Sequence, residues 1–306
     1  MKREVLSSDF PFPVSRFPFP VPRFPFPVSR FPFPVSRFTF PARAYLDFSH
    51  LMISPGLVSI TFRQLTPRQI VDLVVQAGLT AIEWGGDLHA PHGDRAAALE
   101  IAQMCRDAGL AVPTYGAYYR VGHPEILPFA DVLASALALG TPTIRVWAGR
   151  LGSKEADAGY WAAVVEDSQR IVDQAADAGI AIAYEFHGNS LTDTAESTRR
   201  LLEAVERPTL RSLWQPPKGS TPAENRRDID ALAPWLSHIH LFSWRIEEGQ
   251  TIRLPLSEYA IQWREYLARI DRQGGDRYAL LEFVRNDDPA QFLADAATLR
   301  GWLAQR

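Results

Sequence analysis

The chain has 306 residues, of which 46% are hydrophobic and 22% charged, with a formal net charge of −3. This composition is typical of a globular protein, and the lack of a basic excess argues against a nucleic-acid partner. The single cysteine, Cys105, cannot form a disulfide within the chain, and no apolar run approaches the ~20 residues of a membrane span. We therefore expect a cytoplasmic protein without membrane contact. The composition allows either a monomer or a homo-oligomer.

The first part of the chain is a tandem repeat of Phe-Pro-Phe-Pro-Val-Ser-Arg over residues 10–43, with copies starting at Phe10, Phe17, Phe24 and Phe31. Two prolines in each repeat remove backbone donors and exclude a helix or a central strand. Extended or disordered chain is the physical expectation. We predict that residues 1–52 are a low-complexity tract outside the fold, and that residues 53–306 form one domain.

Regularly spaced helix boundaries follow this tract. Helical patterns end at Gly78, Gly109, Gly140 and Gly179, where a glycine suits the left-handed position that closes a helix. Three helices are predicted to begin at a cap followed by proline, with glutamate or glutamine two positions later: Thr66-Pro67, Thr221-Pro222 and Asp288-Pro289. The glycines lie 31 to 39 residues apart, which is about one strand and one helix each.

Between these helices the sequence predicts eight strands, at residues 57–61, 81–84, 111–115, 143–147, 181–187, 210–215, 238–242 and 279–284. Eight alternations over about 250 residues match a single (β/α)8 TIM barrel in number and length. The alternative is an open doubly wound sheet. Its usual dinucleotide-binding form is not supported, because no Gly-x-Gly-x-x-Gly follows the first strand.

Polar residues end four consecutive strands of the predicted barrel. Glu185 and His187 share one face of the fifth strand, Gln215 ends the sixth, His240 lies in the seventh and Glu282 in the eighth. In such a barrel the chemistry lies where strands end and loops begin. Two carboxylates, an amide and an imidazole suit a divalent ion such as Mn, Mg, Co or Zn, so we predict a metal or substrate site. Any one of these residues alone would more often be a hydrogen-bonded core residue.

Further polar and aromatic residues follow the strand ends and are candidates for contacts with a substrate. They are His187, Glu83, Asp87, His89, Tyr115, Trp214, Lys218, Trp244 and Arg245. The basic side chains Arg145 and Arg285 could likewise hold an anionic group or form surface ion pairs. A second metal at His89 and His92 is the weaker alternative, because loop histidines more often contact substrate or solvent.

These motifs resemble those of a known family, the xylose isomerase-like TIM barrels, often described as sugar phosphate isomerases/epimerases. The resemblance covers about residues 55–306 and rests on Ile82-Glu83-Trp84-Gly85-Gly86-Asp87, Tyr184-Glu185-Phe186-His187, His238-Ile239-His240 and Leu281-Glu282-Phe283. It implies a divalent ion held by Glu185, Gln215, His240 and Glu282. It also implies that Glu185 and Glu282 move protons beside a substrate carbonyl.

The chain departs from that family at one ligand. Most metal-dependent members carry aspartate where this chain has Gln215, so one negative charge is lost and an ion should bind more weakly. Two hypotheses for the function therefore remain. The first is a metal-dependent isomerase or epimerase of a sugar, polyol or related hydroxy-carbonyl compound, working through an enediolate. The alternative is a metal-free or non-catalytic sugar-binding barrel, or a sugar- or inositol-type dehydratase of the same family.

Overall fold

The computed structural model describes residues 53–305; the prediction for residues 1–52 falls outside this range. Within it, eight α-helices alternate with the strands of a barrel. The strands are β1 (Ile53–Val58), β2 (Ala81–Gly85), β3 (Tyr115–Arg120), β4 (Thr143–Trp147), β5 (Ala181–Tyr184), β6 (Arg211–Trp214), β7 (Leu236–Leu241), β8 (Ser243–Glu247), β9 (Gln250–Leu254) and β10 (Arg277–Leu281). The helices are α1 (Pro67–Ala77), α2 (Arg95–Asp107), α3 (Phe129–Leu139), α4 (Ala158–Asp177), α5 (Ala195–Val205), α6 (Pro222–Leu232), α7 (Ala260–Asp271) and α8 (Pro289–Leu303).

Eight of the strands described over residues 53–305 close into a parallel barrel in the order β1-β10-β7-β6-β5-β4-β3-β2. The predicted (β/α)8 TIM barrel is thus confirmed. Because all eight strands run the same way, their carboxyl ends meet at one mouth, and this places the predicted polar residues on a common rim. No helix within the described range is long and apolar enough to cross a membrane.

The local signals behave as the sequence indicates. Thr66 and Thr221 form complete capping boxes with Gln69 and Glu224, and Asp288 accepts a hydrogen bond from the backbone of Ala290. Both proline residues at the starts of α1 and α6 occupy the first helical turn, where no N–H is needed. Each of the four predicted helix-closing glycines has a positive φ, between 67° and 73°. These caps fix where each helix starts and stops, and so the lengths of the loops at the mouth.

Apolar side chains form two layers on opposite faces of the barrel wall. The outward faces of the strands and the inner faces of the helices make the large core, which includes Trp84, Trp214 and the buried Cys105. A small cluster of Val58, Ala81 and Leu280 is separate from this large core. In the strand register Val58 pairs with Glu83 and Leu280 with His240, so apolar side chains lie beside the polar groups of the barrel interior.

The structure differs from the predicted elements at several strand boundaries and in one additional hairpin. The first strand was predicted at residues 57–61, whereas β1 covers Ile53–Val58 and a short 3-10 helix follows it at Ser59–Phe62. The third strand was predicted at residues 111–115, whereas β3 starts at Tyr115, and Ala111 makes only an isolated bridge with Ala81. Pro113 lacks the N–H that an earlier ladder would need. The β8–β9 hairpin after β7 was not predicted; its turn residues Glu248 and Gly249 both have positive φ, as a tight hairpin turn requires.

Candidate functional site

The four residues predicted as ligands are brought together inside the barrel mouth. Glu185, Gln215, His240 and Glu282 are all buried. The amide Nε2 of Gln215 donates to Glu185 Oε1 over 3.2 Å, and His240 Nδ1 lies 3.3 Å from Glu282 Oε2. The alternation of side chains along β5, β6, β7 and β10 therefore directs all four inward, as predicted from their phase.

Two further charged residues complete this cluster. Glu83 on β2 is fully buried, and its Oε2 contacts His240 Nε2 at 3.1 Å. Its Oε1 accepts from Arg145 on β4, at 3.0 Å from Nε and 2.9 Å from Nη2. Arg145 Nη1 also donates to Glu185 Oε2. Glu83 thus joins the histidine to the arginine, and the arginine joins Glu83 to Glu185.

The charges of this cluster shift one another's pKa values. Burial by itself would raise the pKa of Glu83, but Arg145 and His240 lower it to about 2. Burial by itself would lower the pKa of His240, yet Glu83 and Glu282 raise it to about 10. The pKa of Arg145 is raised in the same way, against burial, by Glu185 and Glu83. His238, one layer deeper on β7, differs: burial lowers its pKa to about 4.

The atoms of the site allow a test of whether a divalent ion fits. Gln215 Oε1 is buried and has no hydrogen-bond partner among residues 53–305, whereas the buried atoms His240 Nδ1 and Glu282 Oε2 face each other at 3.3 Å. Carboxylate and amide oxygens are donors that these ions accept, and so is an imidazole nitrogen once an ion has displaced its proton. The contact of His240 Nε2 with Glu83 is the outer carboxylate typical of a metal-bound histidine. The donor set fits an ion in this respect.

The fourth predicted ligand is arranged differently. Glu185 faces Arg145 and the amide of Gln215, so both of its oxygens already accept hydrogen bonds. Across the described part of the chain, no group of three or more His, Cys, Asp or Glu side chains is placed to hold a metal ion. The divalent ion therefore stays a prediction, with Gln215, His240 and Glu282 as the residues best arranged to hold it.

A cavity of about 290 Å³ opens above this cluster. Its lining includes Glu185, His187 and Glu282 from the predicted site, together with Arg145, Trp147, Tyr118, Arg63 and Arg253. The rings of His187 and Trp147 lie 4.1 Å apart, and the Arg120 guanidinium lies 3.6 Å above the Trp147 ring. This volume is at the small end of ligand pockets and suits a small polar molecule.

Several residues predicted to contact substrate lie elsewhere. Tyr115 points outward from β3 and donates to the backbone of Ala90, with His92 at 2.7 Å from its hydroxyl. His89 is buried against Ser59, and Trp214 packs against Trp263 outside the barrel. Tyr115, His89 and Trp214 therefore do not line the mouth cavity. The pair His89 and His92 is likewise engaged by Ser59 and Tyr115, so the structure gives no support to a second metal there.

The other predicted contacts lie around the mouth rather than in it. Asp87 pairs with Arg63 at 2.7 Å on the rim. Trp244 and Arg245 line a second cavity of about 210 Å³ between the β6–α6 loop, the β8–β9 hairpin and α7. Lys218 lies 5.7 Å from the Trp244 ring, and Arg245 pairs with Glu247. Arg285 lies beyond β10 and donates to Gln291.

Sequence reasoning missed part of the site. Arg145 was considered only as a general anion contact, although it shares the inward phase of Thr143 and Trp147 on β4. Gly116 and Tyr118 lie beyond the third strand predicted at residues 111–115, whereas both belong to the observed β3. Arg253 lies on β9, which was not predicted, and no local signal links residue 253 to the mouth.

The sequence comparison now identifies the family. The profile described as "Xylose isomerase-like TIM barrel" matches residues 71–303. The chain belongs to this family. No curated protein matches the chain.

Solved structures of the family share the fold at low sequence identity. The probable 3-DHS dehydratase AsbF of Bacillus anthracis superposes with a TM-score of 0.68 and 21% identity, over 81% of this chain and 99% of that one. A D-psicose 3-epimerase crystallised with D-fructose gives 0.61 and 18%, over 83% and 98%. A Mycobacterium smegmatis barrel in complex with magnesium gives 0.61 and 13%, over 84% and 98%. At these identities the likeness shows the fold alone.

Proposed function

We propose that this barrel is an enzyme that isomerises or epimerises a sugar, polyol or related hydroxy-carbonyl compound by proton transfer. The observation that carries the proposal is that Glu185 and Glu282, from strands on different sides of His240, line the same cavity at the mouth. Two carboxylates beside one small substrate can remove a proton from carbon and return it. Relatives described as an epimerase and as xylose isomerase domain proteins agree with this class.

Each residue of the site has a role in this proposal. Glu185 and Glu282 exchange protons with the carbons next to the carbonyl, through an enediolate. His187, at the wall of the cavity, orients hydroxyl groups, and its ring is held in place by the Trp147 ring at 4.1 Å. Arg145, which also lines the cavity, positions the Glu185 carboxylate through its hydrogen bond to Oε2.

A divalent ion belongs to this proposal as a cofactor held by Gln215, His240 and Glu282. When bound, it would polarise the substrate carbonyl and stabilise negative charge on its oxygen. Glu83 would hold the His240 ring so that Nδ1 faces the ion. Which of Mn, Mg, Co or Zn it would be is a matter for direct metal analysis of the purified protein.

The proposal is tested by proton exchange with solvent. Aldoses, ketoses and inositol-type compounds are incubated with the protein in D2O, with and without added Mn²⁺, and deuterium incorporation is followed by NMR. Glu282→Gln should reduce exchange at least ~100-fold, because it removes a general acid–base group. Glu203→Gln, on the exposed face of α5, is the matched control and should exchange at the parental rate. Full activity in Glu282→Gln would refute the assigned roles.

The pairing of Glu185 with Arg145 favours one alternative. With both carboxylate oxygens engaged and a neutral Gln215, the site could bind a sugar-like ligand without converting it. A dehydratase would use the same proton abstraction but release water, and the AsbF relative is described as a probable dehydratase. Binding without deuterium incorporation supports the binder, and an unsaturated product supports the dehydratase.

A further inference from the structure

Arg145 is a cation built into the interior of the site. Its side chain is 2% exposed, and its guanidinium bridges Glu83 on β2 and Glu185, the residue directly after β5. The Tyr118 ring lies 5.9 Å from its Cζ. A buried charge of this kind is tolerated only where other charges compensate it, and here both compensating carboxylates belong to the candidate site.

The neighbouring strand is shaped to admit this side chain. Gly116 on β3 lies between β4, which carries Arg145, and β2, which carries Glu83. A Cβ atom at position 116 would lie 2.4 Å from Arg145 Nη2 and 2.8 Å from Glu83 Oε1. The gap left by this glycine is therefore what lets the guanidinium cross the barrel interior to Glu83.

Both carboxylate oxygens of Glu185 accept a hydrogen bond in this arrangement. Arg145 donates to Oε2 and the Gln215 amide donates to Oε1. An ion that used Glu185 as a ligand would share each oxygen with one of these donors, which weakens its bond to that oxygen. A positive guanidinium in contact with that carboxylate would also repel the ion directly, and this repulsion is strong where water is excluded.

We propose that Arg145 is a positioning residue that competes with a divalent ion for Glu185, and so lowers the affinity of the site for metal. Together with Gln215, it makes the site two charge units more positive than one with aspartate at 215 and a neutral residue at 145. This inference rests on the ion included in the proposed function. It predicts a site in which metal is weakly held and readily exchanged.

The test is a calorimetric titration of EDTA-treated protein with Mn²⁺ alone, without substrate. Arg145→Gln should bind Mn²⁺ at least tenfold more tightly than the parent. Arg170→Gln removes an arginine that pairs with Asp167 outside the barrel, and should leave the affinity unchanged. A gain of affinity is a result that mere loss of structure would not produce.

Arg145→Gln leaves two buried carboxylates without their cation and could fail to fold. In that case Arg145→Lys keeps one positive charge but lacks the forked guanidinium that bridges Glu83 and Glu185, and it should also bind Mn²⁺ more tightly than the parent. Equal or weaker Mn²⁺ binding in the folded variant would overturn the inference. Tighter Mn²⁺ binding without proton exchange on any compound would instead leave the inference standing and count against the proposed catalysis.

Discussion

The most direct consequence of the interior architecture concerns Gly116. Replacing it with alanine places a methyl group 2.4 Å from Arg145 Nη2 and 2.8 Å from Glu83 Oε1. Neither contact can be accepted without movement, and Glu83 is fully buried. The guanidinium must therefore retreat from Glu83, which disturbs the pairing that joins β2, β4 and β5.

The size of the effect follows from two contributions. Forcing one methyl group into a packed interior costs about 1–3 kcal/mol. Weakening a hydrogen bond to a charged group costs about 1.5–3 kcal/mol. Because partial relaxation reduces both, we expect Gly116→Ala to lower the free energy of unfolding by about 3 kcal/mol, or the melting temperature by roughly 6–12 °C for a domain of this size.

Thermal unfolding followed by circular dichroism measures this effect. Gly301→Ala is the matched control: Gly301 lies in α8 and a Cβ there would meet no atom of the described chain within 4 Å. Since alanine favours a helix over glycine, that variant should be unchanged or more stable by up to about 1 kcal/mol. If Gly116→Ala melted at the same temperature as the parent, the conclusion that Arg145 and Glu83 leave no room for a methyl group at position 116 would be refuted.

Three further predictions concern stability away from the mouth. Thr221→Ala removes the capping box of α6 and should cost about 1 kcal/mol in urea unfolding; an unchanged midpoint would contradict it. Asp167→Asn weakens the buried contact with the Tyr119 hydroxyl and should cost about 2 kcal/mol, measured in the same way. Burial, with a smaller contribution from Glu224, raises the pKa of Asp228 to about 6. Below about pH 4 the Asp228 carboxyl is protonated in both the folded and the unfolded chain and does not lower the free energy of unfolding. As the pH rises through 6 the partly buried carboxyl must ionise, and the free energy of unfolding falls. Asp228→Asn should therefore be more stable than the parent above pH 6 and equal to it below pH 4, and a difference independent of pH would contradict this.

The site residues that could be selected from the sequence are those whose position depends only on neighbouring residues of the same strand. Polar residues at strand ends, read with the two-residue alternation of a strand, were enough to select Glu185, Gln215, His240 and Glu282 before any contact was known. Glu83 was also selected, but as a substrate contact. Only the structure shows it buried between His240 and Arg145, because that placement depends on strands far apart in sequence.

Errors arose where the face of a residue depends on register. A third strand ending at residue 115 would make Tyr115 a residue of the rim, whereas the observed β3 turns it outward and brings Gly116 and Tyr118 inside. Trp214 precedes Gln215 by one residue and so faces the helices. A displacement of one position along a strand exchanges its two faces.

The sequence by itself determined the number and order of the barrel's strands, the helix caps, and the four inward residues of β5, β6, β7 and β10. These depend on proline, glycine and alternation, which act within a few residues of chain. The tertiary structure alone decided that Arg145 reaches Glu83 and Glu185 through the space left at Gly116. That contact joins strands far apart along the chain, and it exists only because closure of the barrel brings their inner faces within hydrogen-bond distance.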